Sequence, residues 1–467
     1  MEKFKPLLTE QLFLLPPSVE DFIPQGHLAR VICEVVETID VSEIVKKYSY
    51  LGQKSYHPQL LLKLLFYGYS IGVRSGRRIA AACEQDTAFM YLAAMYKPDF
   101  RTINDFRKDN VEFIQKAFVE VVRICKGLGM CKAGTIILDG TKLKANASAD
   151  RSKNKEQYEQ WLHRIETEIK TIMDEATKND ELEDKKYGDK RGDELPAELR
   201  SKQKLKEKIK QVLEQMNNDK EQVNLTDTEA KFIKNKGRID LNYNCQAAIT
   251  EDGIIIGAYT TNSPSDRTET IKSILNAEQI TQEEYEEVLA DSGYASFDNF
   301  EELAARNKII YIPDQQMNSE AEKEQNPYHR NHFEYNPEKD CFICPENKEL
   351  PFYANSIHKR SKQKSKVYKC SECPTCDKQT SCTKGKYRQI HIEQREYLRK
   401  SIRERLNSIP GKLTYLKRMR IESVFGNIKH NLNYIHLYLK GTQKTTAEWQ
   451  LICIGHNLKK IHGFKMT

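Results

Sequence analysis

The sequence predicts an α/β protein, and three observations carry that reading. Apolar residues recur at helical spacing through the first 130 residues. From residue 135 onward, short β-branched runs alternate with turns and helical stretches. Two segments of deviant composition, one dense in charge and one in cysteine, interrupt that alternation. With 467 residues the chain can build a full core and more than one domain.

The elements follow in order. HPQLLLKLLFYGYSIG reads as a buried helix, and KPDFRTINDFRKDNVEFIQKAFVEVVRICKGLG opens on turn residues and closes on glycines. GVRSGRR, residues 72–78, reads as a small basic loop between helices. TIILD (135–139) is a strand ending in an acid, and LNYNCQAAIT (241–250) and IIIGAYT (254–260) are strands joined by the turn EDG. Asp266 and Glu269 read as a capping box opening a helix to about 280. EVLAD (287–291) is a strand ending in Asp291; SFDNFEELAARN is a helix and KIIYIP a strand. A long helix is expected around 395–436 and another near 445–461. Residues 151–230 hold 17 basic and 20 acidic residues and pattern as two amphipathic helices joined by a polar linker near 178–195. Residues 314–394 form the second interruption and hold the clustered cysteines.

No apolar run approaches the ~18 residues of a membrane span, and the start MEKFKPLLTEQLFLLPPSVED carries acids and prolines where a signal peptide needs an apolar stretch. A cytoplasmic protein without a membrane partner is expected. The net charge of +7 is mild, but its distribution is not: residues 361–467 hold 23 Lys/Arg and 7 Asp/Glu. Such asymmetry favours a polyanion-facing surface at that end, with a solvated basic helix as the alternative.

Three acids occupy places where chemistry can be built. Asp139 and Asp291 end strands, and Glu422 lies in RIESVFG on the long helix. Strand-end acids can meet at one sheet edge, and a packed helix can bring a third. Hard carboxylate ligands of this kind suit Mg²⁺ or Mn²⁺. On a continuous helix Tyr415, Arg418, Glu422 and Lys429 share an arc of roughly 60°, beside an apolar arc of Ile421, Val424, Phe425 and Ile428. The cysteines read C-x2-C (Cys341, Cys344), then C-x2-C-x2-C-x5-C (Cys370, Cys373, Cys376, Cys382), six candidates for the four places of a structural zinc.

These residues carry a resemblance. Tyr415, Arg418, Glu422 and Lys429 match, without a gap, the Y-(2)-R-(3)-E-(6)-K signature of one group of bacterial insertion-sequence DDE transposases. LDGTKLKANAS and LADSGY are similar to the segments bearing the group's first two acids. The N-terminal helical stretch and the tail EWQLICIGHNLKKI resemble that group's helical N-terminal domain and closing helix. The resemblance implies a ribonuclease H-like catalytic core over 131–467, interrupted by a charged helical insertion (150–236) and a Cys-rich insertion (314–394), after a helical, DNA-binding N-terminal domain (1–130). It implies that Asp139, Asp291 and Glu422 hold two divalent ions for phosphodiester cleavage and strand transfer at element ends. Arg418 and Lys429 would contact phosphate, and Tyr415 would position the helix or stack near DNA. The partners implied are double-stranded DNA and, for two ends, a second copy of the chain. The CP dipeptide and C-x2-C-x5-C of related transposases would select Cys344, Cys373, Cys376 and Cys382 for zinc, with Cys341 and Cys370 as alternatives. A catalytically inactive DNA-binding regulator and a metal-dependent nuclease on the same fold remain the alternatives in function.

Overall fold

The computed structural model describes residues 18–48, 54–187, 197–216, 218–235, 237–314, 317, 325–357, 364–393 and 395–466. The opening segment to residue 17, part of the linker expected near 178–195, and the basic run 358–363 lie outside the described residues.

Helices Leu28–Glu37, Pro58–Ser70, Gly76–Gln85, Thr87–Leu92, Phe100–Asp109 and Val111–Gly127 build the N-terminal part. Their starts are legible in side-chain chemistry: His57 accepts from Gln59 N–H with Pro58 in the first turn, while Asp86 and Asp99 cap the helices that follow them. The expected basic loop at 72–78 is only partly a surface feature. Arg74 is buried, donates to the His436 carbonyl and lies over the rings of Tyr434 and Tyr438; Arg77 and Arg78 stay exposed in the helix that follows.

The strands are β1 Gly134–Lys144, β2 Ser152–Lys153, β3 Val223–Asn224, β4 Lys231–Asn235, β5 Arg238–Ile249, β6 Ile255–Thr261, β7 Tyr285–Leu289 and β8 Ile309–Tyr311. The main sheet runs β6-β5-β1-β7-β8, with β4 extending the edge that β6 occupies on β5. β1 pairs antiparallel with β5 and parallel with β7, which pairs parallel with β8. That order and those directions are a ribonuclease H-like sheet. Most of β5 and all of β6 are buried, because both of their faces are covered.

The closing helix, Thr442–Met466, ties sheet to N-terminal helices. Trp449 Nε1 donates to the Gln246 carbonyl at 2.8 Å, and the Asn457 amide exchanges two hydrogen bonds with the Ile255 backbone. On its other side Gly455 faces the Tyr69 carbonyl; a Cβ there would sit 2.7 Å from that oxygen, so the two helices need glycine at the crossing. One hydrophobic cluster therefore runs from the N-terminal helices through the sheet to this helix.

Two satellite cores lie outside it. Helices Lys155–Tyr187 and Ala197–Gln215 pair through Tyr158, Ile165, Leu199, Ile209 and Val212, as the charge-patterned segment predicts. The cysteine segment forms a second, antiparallel sheet of β9 Glu334–Asn336, β10 Cys341–Ile343, β11 Glu349–Ile357, β12 Lys364–Lys369 and β13 Gln389–Glu393.

Two local expectations are corrected. Asp266 and Glu269 do not form a capping box: Ser265 caps a short 3₁₀ turn Asp266–Glu269, and helix Thr270–Thr281 follows. Glu269 bonds Tyr259 and Thr261 instead. The helix expected over 395–436 is divided into Glu396–Asn407, Ile409–Leu416, Met419–Gly426 and a π-helical turn Asn427–Asn431. Ser408 caps the second piece, with Pro410 in its first turn, where it forces a new start.

Candidate active site

Asp139 and Asp291 stand at one end of the sheet. The parallel ladder between β1 and β7 ends at Ile137 opposite Leu289, and each aspartate lies two residues beyond. Asp139 remains in the antiparallel ladder, opposite Ala247 of β5. Asp291 has left its strand and caps the turn Ser292–Tyr294, accepting from Gly293 N–H at 2.8 Å. Burial, and secondarily the charge of Asp291, push the Asp139 carboxyl up from near 3.8 to about 7. The Gly140 N–H and the Arg418 guanidinium work against that rise.

Glu422 reaches this edge through Arg418. The guanidinium donates to Glu422 Oε1 at 2.6 Å, while the Glu422 side chain remains 53% exposed. The charges of Asp139 and Asp291 also act on Arg418. Tyr415 is half-buried beside Arg418, whose guanidinium lies 5.8 Å from its ring centroid. Burial raises the Tyr415 hydroxyl above its ordinary range, and the charges of Asp291 and Glu422 add to the rise. The structure thus brings Asp139, Asp291, Arg418 and Tyr415 into one electrostatic neighbourhood, with Glu422 at its rim. Lys429 lies beyond the end of the helix that carries Glu422. It sits on the π-helical turn, half-buried, where its charge acts on the Cys245 thiol of β5. The apolar arc holds: Ile421, Val424, Phe425 and Ile428 are all buried.

Among the described residues, no three His, Cys, Asp or Glu side chains are gathered closely enough to hold a metal ion. The donor chemistry at the sheet edge nevertheless fits a hard cation. The charge of Asp291 opposes ionisation of Asp139 there, which a divalent ion would reverse.

In the Cys-rich insertion, Cys344, Cys370, Cys373, Cys376 and Cys382 line one pocket, and Cys341 does not. All six thiols are free. Backbone N–H groups of Lys348 and Arg388 donate to the Cys344 and Cys373 sulfurs at 3.3 Å. Burial raises Cys382, and the neighbouring Cys373, Cys344 and Cys376 add to the rise. Burial pushes Cys370 up to about 11, with a hydrogen bond to Cys373 as the next cause. Several soft donors gathered on one pocket fit a thiophilic cation.

Sequence reading missed a polar cluster beside Asp139. Asp266 accepts from Lys142, Asn244 and Gln246, and the Tyr294 hydroxyl donates to Gln246. Alternation along β5 places Asn244 and Gln246 on one face, a signal that two amides two apart in an apolar strand could have raised.

The described residues contain no helix long and apolar enough to cross a membrane. No curated protein matches the chain. Residues 17–109 match the family described as Transposase domain (DUF772). Residues 343–462 match the family described as Transposase DDE domain, a span that includes Tyr415, Arg418, Glu422 and Lys429 as well as five of the six clustered cysteines. Two transposase families thus match one chain, one over the N-terminal helices and one over the segment that carries Glu422, which is consistent with a DDE transposase of an insertion sequence.

Proposed function

We propose that the chain cleaves and joins DNA at the ends of an insertion sequence, with Asp139, Asp291 and Glu422 as its catalytic carboxylates. The observation that supports this most is the sheet edge itself. Two aspartates lie just past the last pair of the parallel β1–β7 ladder there, and the helix carrying Glu422 faces them through Arg418. Mg²⁺ or Mn²⁺, as two ions held by the three carboxylates, would activate the attacking hydroxyl and neutralise the leaving oxygen. The reaction assigned is hydrolysis of a phosphodiester at each end, then attack of the freed 3′-hydroxyl on target DNA. Arg418 is preoccupied with Glu422 in the DNA-free chain; releasing it lets the guanidinium take a phosphate in bidentate fashion. Tyr415 shapes the wall beside Arg418, and Lys429 adds a cation towards the DNA path. Residues 1–130 contribute further duplex contacts, and two copies act on the two ends in the cytoplasm. The thiol pocket holds one structural Zn²⁺, by Cys344, Cys373, Cys376 and Cys382.

The test uses purified full chain, Mg²⁺, and a plasmid carrying the element's terminal inverted repeats. Excised ends and strand-transfer product support the reading. Cleavage without joined product assigns a nuclease, and end binding without cleavage assigns a regulator; either overturns it.

A further inference from the structure

The two aspartates share no ladder at their own positions. β1 and β7 stop pairing at Ile137 and Leu289. Some other part of the molecule must set the gap between Asp139 and Asp291, and the contacts identify β5. Gln246 of β5 lies opposite Gly140, the residue after Asp139. Its side-chain oxygen accepts from the Tyr294 hydroxyl at 2.5 Å, and Tyr294 is the last residue of the turn that Asp291 opens. Its amide nitrogen donates to Asp266 Oδ1 at 2.8 Å and to Asn244 Oδ1 at 3.0 Å. Asp266 is held in turn by Lys142 Nζ at 2.9 and 3.0 Å and by Asn244 Nδ2 at 2.7 Å. Gln246 and Tyr294 are fully buried, and the Gln246 carbonyl is fixed by Trp449 of the closing helix.

Gly140 shows how tightly the unit presses on the strand. A Cβ there would collide with the Gln246 amide nitrogen and come within 2.6 Å of Asp266 Oδ1. A buried polar network of this kind is costly where apolar side chains would fill the space. Its directional bonds do what apolar packing does not: they fix distances between groups on separate elements.

We infer that Gln246 and Tyr294, braced by Asp266 and Lys142, are positioning residues that set the spacing of Asp139 and Asp291 and thereby the place of the divalent ion. The inference rests on the reading of those aspartates as the metal-holding pair. Such outer contacts commonly govern metal affinity by 10–100-fold.

Tyr294→Phe removes one oxygen and leaves the ring in its pocket. The experiment titrates Mn²⁺ into the DNA-free full chain, following free Mn²⁺ by electron paramagnetic resonance, for wild type, Tyr294→Phe, Lys142→Met and Asp139→Asn. Thermal melts of each run alongside, with single-turnover cleavage over a range of Mn²⁺. Tyr294→Phe is expected to melt within a few degrees of wild type and to bind Mn²⁺ about tenfold more weakly. The half-saturating Mn²⁺ for cleavage should rise by a similar factor, with the rate largely restored at saturation. Lys142→Met should move the same quantities in the same direction. Unchanged Mn²⁺ affinity in Tyr294→Phe, with Asp139→Asn abolishing binding, overturns the positioning role alone. Binding that Asp139→Asn leaves untouched removes the metal from this edge and overturns both readings. Should Lys142→Met fail to fold, Tyr294→Phe decides.

Discussion

Asp139 is an acid whose neighbours work against its charge. Its carboxyl is pushed from near 3.8 to about 7, chiefly by burial and then by Asp291. The unfolded chain loses that proton near pH 4, whereas the folded, metal-free chain keeps it to about pH 7. The resulting contribution to stability is fully present below the unfolded pKa and is lost as pH rises through the folded one. Metal-free protein should therefore melt lower at pH 8 than at pH 5, and Mg²⁺ at pH 8 should restore part of the difference. Asp139→Asn removes the titrating group and should flatten that dependence; a variant with the same slope as wild type between pH 5 and 8 would sink the assignment. The same residue scale governs the chemistry. Asp139→Asn, Asp291→Asn and Glu422→Gln each keep size and remove one charge. Each is expected to lower cleavage about a thousandfold or more, the equivalent of several kcal/mol at the transition state, with affinity for end DNA within a few-fold of wild type. Near-normal cleavage in Mg²⁺ by any one of them strikes that residue from the trio.

At the scale of elements, legibility followed the range of the forces. The strands at 135–139, 241–250 and 254–260 were readable because their own β-branched and apolar residues specify them, and so was the charge-patterned hairpin. Breaks in the segment after 395 were only partly readable. Ser408 and Pro410 announce a new helix, but nothing in Lys417 or Arg418 announces the turn they form, nor does Asn427–Asn431 announce a π-helical turn. Arg418 and Glu422 nevertheless keep the i, i+4 pairing that a straight helix would give. Asp266 was misread for a different reason. Its local signature suits a cap, yet its partners Lys142, Asn244 and Gln246 come from remote strands, and no local pattern encodes them. The cysteines sit between these cases: six were visible by spacing, while only the fold separates Cys341 from the five that share a pocket. Protein prepared without chelator should carry about one zinc per chain. Cys373→Ser should lose it and loosen the insertion, while Cys341→Ser should retain it. Elemental analysis checks both, and zinc-free wild type or zinc loss in Cys341→Ser alone would reverse the ligand assignment.

Across the whole molecule the charge is polarised: residues 361–467 hold 23 lysines and arginines against 7 acids, and the other 360 residues are net acidic by nine. A long-range field of this shape orients an approaching duplex towards the end that carries Arg418 and Glu422. Each phosphate neutralised releases counterions, so affinity falls with salt in proportion to the number of contacts. Lys429 tests how far that field is used at the sheet edge. It sits half-buried on the π-helical turn, where its charge acts on Cys245 of β5. If it nevertheless contacts DNA, Lys429→Ala should weaken binding to cleaved and uncleaved ends alike and reduce the slope of log affinity against log salt by about one unit. Cleavage should slow further, because the scissile phosphate loses a cation beside the carboxylates. A lysine whose charge serves only the interior would leave the salt slope unchanged and alter the melting temperature instead. The measurement is a salt titration of end binding for wild type and Lys429→Ala, with single-turnover cleavage and melts on the same preparations. Parallel slopes with a lowered melting temperature would return Lys429 to the packing of the π-helical turn against β5 and leave Arg418 as the phosphate contact of this segment.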